Sequence, residues 1–355
     1  MSVLLFIVIL SFLVIAHEWG HFYSARKFGI GVEEFGVGFP PRAWSKVVNG
    51  IRYSINWLPL GGFVKIKGED GQHAEDADSF INQKAWKRFI VLVAGVVMNF
   101  LVAAILLGVG FIFGLPQDST GVDPSLVSDK KVQILSVVDG YPAQLAGLKS
   151  GDTLISFNNT PITSVESVVT TAQPLENQEV LLVYKRNNEV ITTPVTVKKI
   201  TETGKPGIGV ALLESGIVTY PWYRAIPQGF ITAGEMTKDI AVGFVSLIKN
   251  LATGNKVGGV AGPVGIAVMT GEVASLGWAH LLSFTAMLSL NLAVLNMIPF
   301  PALDGGRVLF IIIEKLTGRK VNRSIEGVVH AMGFLLLMLL IIVVTFKDVV
   351  RLFVK

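Results

Sequence analysis

His17-Glu18-Trp19-Gly20-His21 sets two imidazoles four residues apart, with a carboxylate beside the first. On a helix, positions i and i+4 share a face, so His17 and His21 can reach one metal ion. Glu18 then stands where water attacking at that metal needs a general base. The stretch leading into the motif, Val3 to Ala16, is apolar apart from Ser11. The expected helix therefore lies in a membrane, and hydrolysis there would take place at bilayer depth.

The rest of the composition agrees. Of 355 residues, 51% are hydrophobic and only 16% charged, with a mean hydropathy of +0.58. That is an integral membrane composition with room for one soluble domain. The chain has no Cys, which excludes disulfides and thiolate ligands and leaves His, Asp and Glu to hold a metal. The net charge of +4 comes without a dense basic run or interleaved aromatics, so no nucleic-acid partner is expected.

Four stretches are long enough to span, at about 2–24, 89–114, 278–300 and 328–346. The first is expected to be retained rather than cleaved, because no positive charge precedes it and no small-residue site closes it. Arg26, Lys27, Arg42, Lys46, Arg52, Lys65, Lys67, Lys84, Lys87 and Arg88 crowd the segment after the first span. Arg307, Lys315, Arg319, Lys320 and Arg323 follow the third. Both segments are expected in the cytoplasm and 115–277 outside. The first and third spans then end on the same side.

That topology selects a third ligand. A hydrolytic zinc site has three protein ligands and one open position. Span three runs into Asn296-Met297-Ile298-Pro299-Phe300-Pro301-Ala302-Leu303-Asp304-Gly305-Gly306. Asp304 is the acidic residue best placed to meet His17 and His21. Read alone, an Asp before two turn glycines is more often a loop residue than a ligand. Asn99 and Asn296 are polar within or beside spans, so each has a partner or a role. Asn296 is placed to bond an unwound substrate backbone or an oxyanion, with interhelical bonding as the alternative.

Between the spans, 51–67 alternates polar and apolar and reads as two strands of a hairpin turning at Pro59-Leu60-Gly61-Gly62. A hairpin beside the membrane offers an unpaired edge, and an unwound substrate segment can add to it as a strand; a hairpin that only packs on helices is the alternative. Residues 118–200 read as a small β-rich domain, with strands expected at 131–138, 153–157, 179–185 and 189–197. The stretch 225–251 reads as an amphipathic helix on the outer membrane surface, a fifth span being the alternative. The expected domains are 1–117, 118–200, 201–277 and 278–355. His73, His280 and His330 are expected at surfaces or interfaces rather than as ligands.

H-E-x-x-H in a first span with N-x-x-P-x-P-x-L-D-G in a later one resembles the site-2 protease family of intramembrane metalloproteases, most closely its bacterial RseP-like branch. Gly95-Val96-Val97-Met98-Asn99 is similar to that family's G-x-x-x-N, Gly61 to Asp70 to its membrane-associated β segment, and Gly262-Pro263-Val264-Gly265-Ile266 to its G-P-x-G-I loop. The resemblance implies one Zn2+ held by His17, His21 and Asp304, with Glu18 as base. It favours substrate binding by Gly61, Gly62, Phe63, Val64 and Lys65, with Asn99 and Asn296 as further candidates. Pro142-Ala143-Gln144-Leu145-Ala146-Gly147-Leu148-Lys149-Ser150-Gly151-Asp152 resembles a PDZ domain, with Ala146, Gly147 and Leu148 as the expected peptide-binding loop and one such domain where RseP-like enzymes can carry two. The implied fold is a polytopic α-helical membrane protein with an inserted extracytoplasmic PDZ domain. The implied setting is a bacterial inner membrane, with the active site near the cytoplasmic face. The implied substrates are single-pass membrane proteins, anti-sigma factors or remnant signal peptides, after trimming by a site-1-type protease. Two other classes compete: a non-proteolytic zinc-containing scaffold, which has no use for Glu18, and a zinc transporter, which needs ionisable residues along a path.

Overall fold

The computed structural model of the chain describes residues 2–69, 71–73, 75–186, 189–200, 204–254, 261–319, 321 and 323–353. Asp70 and Lys320, used in the reading above, lie outside the described residues. The chain opens with α1 (Ser2–Lys27), β1 (Val32–Val48), β2 (Ile51–Ile66) and α2 (Ala85–Phe113). A β-rich segment follows: β3 (Leu115–Asp118), β4 (Val127–Val137), α3 (Pro142–Leu145), β5 (Thr153–Phe157), β6 (Thr160–Pro161), α4 (Val165–Ala172), β7 (Glu179–Arg186), β8 (Glu189–Thr196), β9 (Lys198–Lys199), β10 (Pro206–Gly207) and β11 (Val210–Val218). Five helices complete the chain: α5 (Trp222–Ala252), α6 (Pro263–Ser275), α7 (Trp278–Met297), α8 (Asp304–Thr317) and α9 (Arg323–Phe353). Two compact units result, one of residues up to 110 with those from 226, the other of 111–225.

In the helical unit, α1, α2, α7 and the stretch Ile325–Val350 of α9 are long and apolar enough to cross a membrane. They fall on the four stretches expected from hydropathy. The carboxyl end of α1 is closed by Gly29 at φ +74°, with Ile30 N–H reaching back to the Ala25 carbonyl at 2.9 Å. Glycine adopts that left-handed turn without a Cβ clash, and Arg26 and Lys27 in the last turn suit the negative end of the helix dipole. α1 and α2 cross closely. A Cβ at Gly20 would lie 2.3 Å from the Ala94 carbonyl oxygen, so only glycine lets the backbones approach this far.

The β segment departs from the expected hairpin. Residues 51–66 form one bent strand, and the tight turn is Asn49-Gly50, both at positive φ. The first limb of β1 pairs on one side with 51–55 (Phe35 with Tyr53) and on the other with 62–66 (Phe35 with Val64). The two expected strands thus flank a third instead of pairing with each other. The first limb of β1 escaped notice because Gly36, Gly38, Pro40 and Pro41 interrupt its alternation. What survives is the edge: the 62–66 limb is the outer strand of this meander.

The G-P-x-G-I segment also differs from the loop expected for it. Pro263 opens α6, and Gly265 donates its N–H to the Asp348 carboxylate of α9 at 2.8 Å. A side chain at Gly262 would lie 2.7 Å from that carboxylate. Both glycines therefore serve a helix start capped from another helix.

The sheet unit stands on its own core. Its strands run β3-β11-β4-β5-β7-β8, with β6 beside β5. β7 alternates as a half-buried strand should, sending Val180, Leu182 and Tyr184 inward. These join Ile134, Leu154, Phe157 and Val197 in the core. The unit is wider than 118–200 because β11, from 210 to 218, lies between β3 and β4.

Candidate metal centre

The helix–turn arithmetic of the first motif holds. His17 and His21 are both buried on one face of α1. Their Nε2 atoms lie 3.0 Å apart. Asp304, the first residue of α8, brings Oδ2 to 2.9 Å from His17 Nε2 and 3.3 Å from His21 Nε2. Pro299 and Pro301 end the preceding helix, and Gly305 and Gly306 let the new one start against the 297–301 backbone. Among the described residues these three form the one group able to hold a metal ion, with ligand atoms within 4.8 Å of one another.

The donor set fits zinc. Ligands at about 2.0–2.1 Å in tetrahedral arrangement stand about 3.3 Å from each other. The three observed separations, 2.9, 3.0 and 3.3 Å, lie at or just below that value. The far nitrogens settle which atoms are free. His21 Nδ1 donates to the Val91 carbonyl at 2.8 Å, so its Nε2 carries a lone pair in the neutral ring. His17 Nδ1 faces the Asn99 amide at 3.3 Å, and Asn99 Oδ1 is buried without a partner. Turning that amide by 180° sets Oδ1 on His17 Nδ1–H and leaves the second Nε2 lone pair pointing at the first. Two lone pairs and a carboxylate oxygen converging at about 3 Å repel one another unless a cation stands between them. Gly95 faces the same spot, where a Cβ would lie 2.5 Å from His21 Nε2 and 2.7 Å from His17 Nε2.

Glu18 sits beside this cluster, with its Oε2 accepting the Val64 N–H at 3.0 Å. The 62–66 limb lies along α1, where Gly61 N–H also donates to Ser11 Oγ at 3.1 Å. Phe63 stacks on Phe39 and Lys65 pairs with Glu33. A cavity of about 210 Å³ opens onto the cluster, bounded by Val14, His17, Glu18, Leu292, Asn296 and Asp304. Asn296 Nδ2 stands 3.5 Å from His17 Nε2, within reach of a group held there. Asn99 is fully buried behind His17, where it can orient the imidazole, and it also lines the cavity that opens onto the cluster.

Ala146, Gly147 and Leu148 do not line the sheet unit's apolar cavity. Leu148 faces the core, and the Gly147 carbonyl accepts from Arg186. The sheet unit's apolar cavity, about 700 Å³, instead lies between α4 and residues 206–212. The missed signal is the run Val210 to Leu212, which falls beyond the expected domain boundary. Another missed residue is His330. It accepts the Ala302 N–H at 2.9 Å, two residues before Asp304.

The fold and the site together define a metallohydrolase built on apolar helices. The family model described as Peptidase family M50 matches residues 5–340, and the chain belongs to that family. It is 30% identical to the regulator of sigma-W protease RasP of Bacillus subtilis, over 99% of both chains. It is 31% identical to the zinc metalloprotease RasP of Bacillus licheniformis, again over 99% of both. A solved PDZ domain of the SdrC-like protein from Listeria monocytogenes is similar to 23% of this chain and 85% of that one, at 24% identity and a TM-score of 0.22. The chain is a metalloendopeptidase with membrane helices.

Proposed function

We propose that this chain is a zinc-dependent intramembrane endopeptidase of regulated intramembrane proteolysis. Its substrates are single-pass membrane proteins of the anti-sigma factor or remnant signal peptide class, trimmed first by a site-1-type protease. The observation that carries the reading is the meeting of His17, His21 and Asp304 beside Glu18, across 287 residues of sequence. Zinc in this donor set supplies Lewis acidity to a water and to the scissile carbonyl. Glu18 takes the proton from the attacking water and hands it to the leaving amine. The Val64 N–H holds its carboxylate for both transfers. Asn99 holds His17, Val91 holds His21, and Asn296 reaches the substrate backbone or the developing oxyanion.

A transmembrane substrate must unwind before any of its peptide bonds is accessible. The outer limb Gly61–Lys65 is the edge to which the unwound segment adds. An apolar groove of about 590 Å³, lined by Val96, Phe100, Phe244, Val245, Ala293 and Met297, flanks Asn99 and Asn296 in sequence and suits an apolar helix on its way in. In the sheet unit, β3 pairs with β11 at 215–218 and Ser119 N–H reaches the Glu214 carbonyl at 2.8 Å, which leaves the 210–213 edge open toward α4. A peptide carboxyl terminus released by a first cleavage adds there as a strand. The charge of the short loops supports 28–88 and 301–327 in the cytoplasm of a bacterial inner membrane and the sheet unit outside.

Co-expression with candidate single-pass proteins tests the central claim. Wild type yields a shortened fragment, and Glu18→Gln, with the same size and no basicity, yields none. A Glu18→Gln variant that cuts at a comparable rate removes the assigned base.

A further inference from the structure

Asp304 reaches the metal cluster only if the turn before it keeps an uncommon shape. Ala302 sits at φ +80°, a left-handed conformation that is strained for a residue with a Cβ and persists only where its surroundings enforce it. Two features of α9 enforce it. His330 Nδ1 accepts the Ala302 N–H at 2.9 Å. One turn along, Gly333 is pressed against the same turn, so that a Cβ there would lie 2.4 Å from Pro301 Cβ and 2.5 Å from the Pro301 carbonyl oxygen. The His330 ring also packs on Phe310 of α8 at 5.6 Å between centroids. His330 therefore touches both sides of Asp304, the turn before it and the helix after it.

The ring's other nitrogen shows what His330 is retained for. With Nδ1 accepting, Nε2 carries the proton, and that buried Nε2 has no hydrogen-bond partner. An unpaired buried donor is destabilising, most of all within an apolar helix. A residue kept only for packing would not keep that donor.

We propose that His330 is a positioning residue for the metal site: as acceptor for the Ala302 amide, it locks the Pro301–Ala302 turn that delivers Asp304 to zinc. This rests on the zinc peptidase reading above. It makes α9, which contributes no ligand, part of the machinery that sets metal affinity.

The test is zinc affinity of the purified full-length chain by chelator competition, for wild type and for His330→Leu, His330→Asn and His330→Gln. Asn carries an oxygen two bonds from Cβ, where Nδ1 stands; Gln carries it one bond further out. His330→Leu is expected to lose about tenfold or more in zinc affinity, the scale set by lost outer-shell support. His330→Asn should bind close to wild type and His330→Gln should follow Leu. Wild-type affinity in His330→Leu overturns the proposal, and so does an Asn variant that falls as far as Leu. Should the Leu variant fail to fold, the Asn and Gln variants carry the comparison, and equal affinities overturn the proposal. A wild type that binds no zinc sinks the peptidase reading itself, which a zinc-binding wild type beside an indifferent His330→Leu does not.

Discussion

Val64 donates its backbone N–H to the Glu18 carboxylate across 3.0 Å, so the edge strand and the base form one hydrogen-bonded unit. The contact explains why a strand edge and a metal motif belong to the same site. The limb already bonds β1 on its other side, so Val64→Pro removes the donor to Glu18 and leaves the pairing with β1 in place. A hydrogen bond to a charged group contributes about 1.5–3 kcal/mol, worth about tenfold or more in rate. Cleavage by Val64→Pro should fall at least that far with zinc content unchanged. An unaltered rate would mean that Glu18 needs no help from the strand.

Gly95 offers a test of the metal cradle that touches no ligand. Alanine there would place a methyl carbon 2.5 Å from His21 Nε2. Since α1 and α2 already pack backbone to backbone at Gly20, neither helix can give way cheaply. Gly95→Ala should lose zinc and activity together, as His17→Ala and Asp304→Ala should. Chelation of the wild type should abolish cleavage and added zinc restore it. Normal zinc content in Gly95→Ala would place the ion elsewhere.

The sequence carried the chemistry of this site further than its mechanics. His17, Glu18 and His21 were legible because helical spacing fixes which residues share a face. Asp304 was legible because loop charge fixes which span ends lie on one side. The support was not. Asn99 reads as a polar residue in a span whether it touches substrate or an imidazole. His330 lies 26 positions beyond Asp304, and no local pattern links it to Ala302. The meander was misread where Gly36, Gly38, Pro40 and Pro41 erase the alternation of β1, although both of its flanking limbs are regular. In the sheet unit, β11 returns to the sheet from well outside the 118–200 stretch that was expected to hold it.

Asp152 is also where pH should act on the sheet unit. Burial pushes its carboxyl up, but the Arg186 guanidinium and the Lys149 N–H outweigh burial and hold it below the usual carboxylate range. Arg186 meets it at 2.7 Å with both a side and an end nitrogen. A folded pKa below the unfolded one adds stability that is complete above about pH 4 and is lost as pH falls through the folded value. The protection of β5 and β7 amides in the full chain, measured relative to their intrinsic exchange rates, should therefore fall on acidification below about pH 4. Arg186→Leu leaves a carboxylate that is 1% exposed with only the Lys149 N–H as partner and should destabilise the sheet unit near neutral pH. Exchange that is unchanged in that variant would show the pair to be dispensable.

Orientation in the membrane is the last point, and the absence of cysteine makes it simple to measure. Asp304 meets His17 at 2.9 Å, which fixes the carboxyl end of α1 and the start of α8 at one depth but does not say which side of the membrane they are nearer. The loop charges favour one answer. Ten Lys and Arg residues between Arg26 and Arg88 favour the cytoplasm by the bias that orients short loops, whereas a folded domain such as 111–225 crosses regardless of its charge. Ser45→Cys, on an exposed part of β1, should react with an impermeant thiol reagent only after the membrane is opened. Glu176→Cys, exposed in the sheet unit, should react in intact cells. The reverse pattern would invert the protein and put the metal site near the outer face.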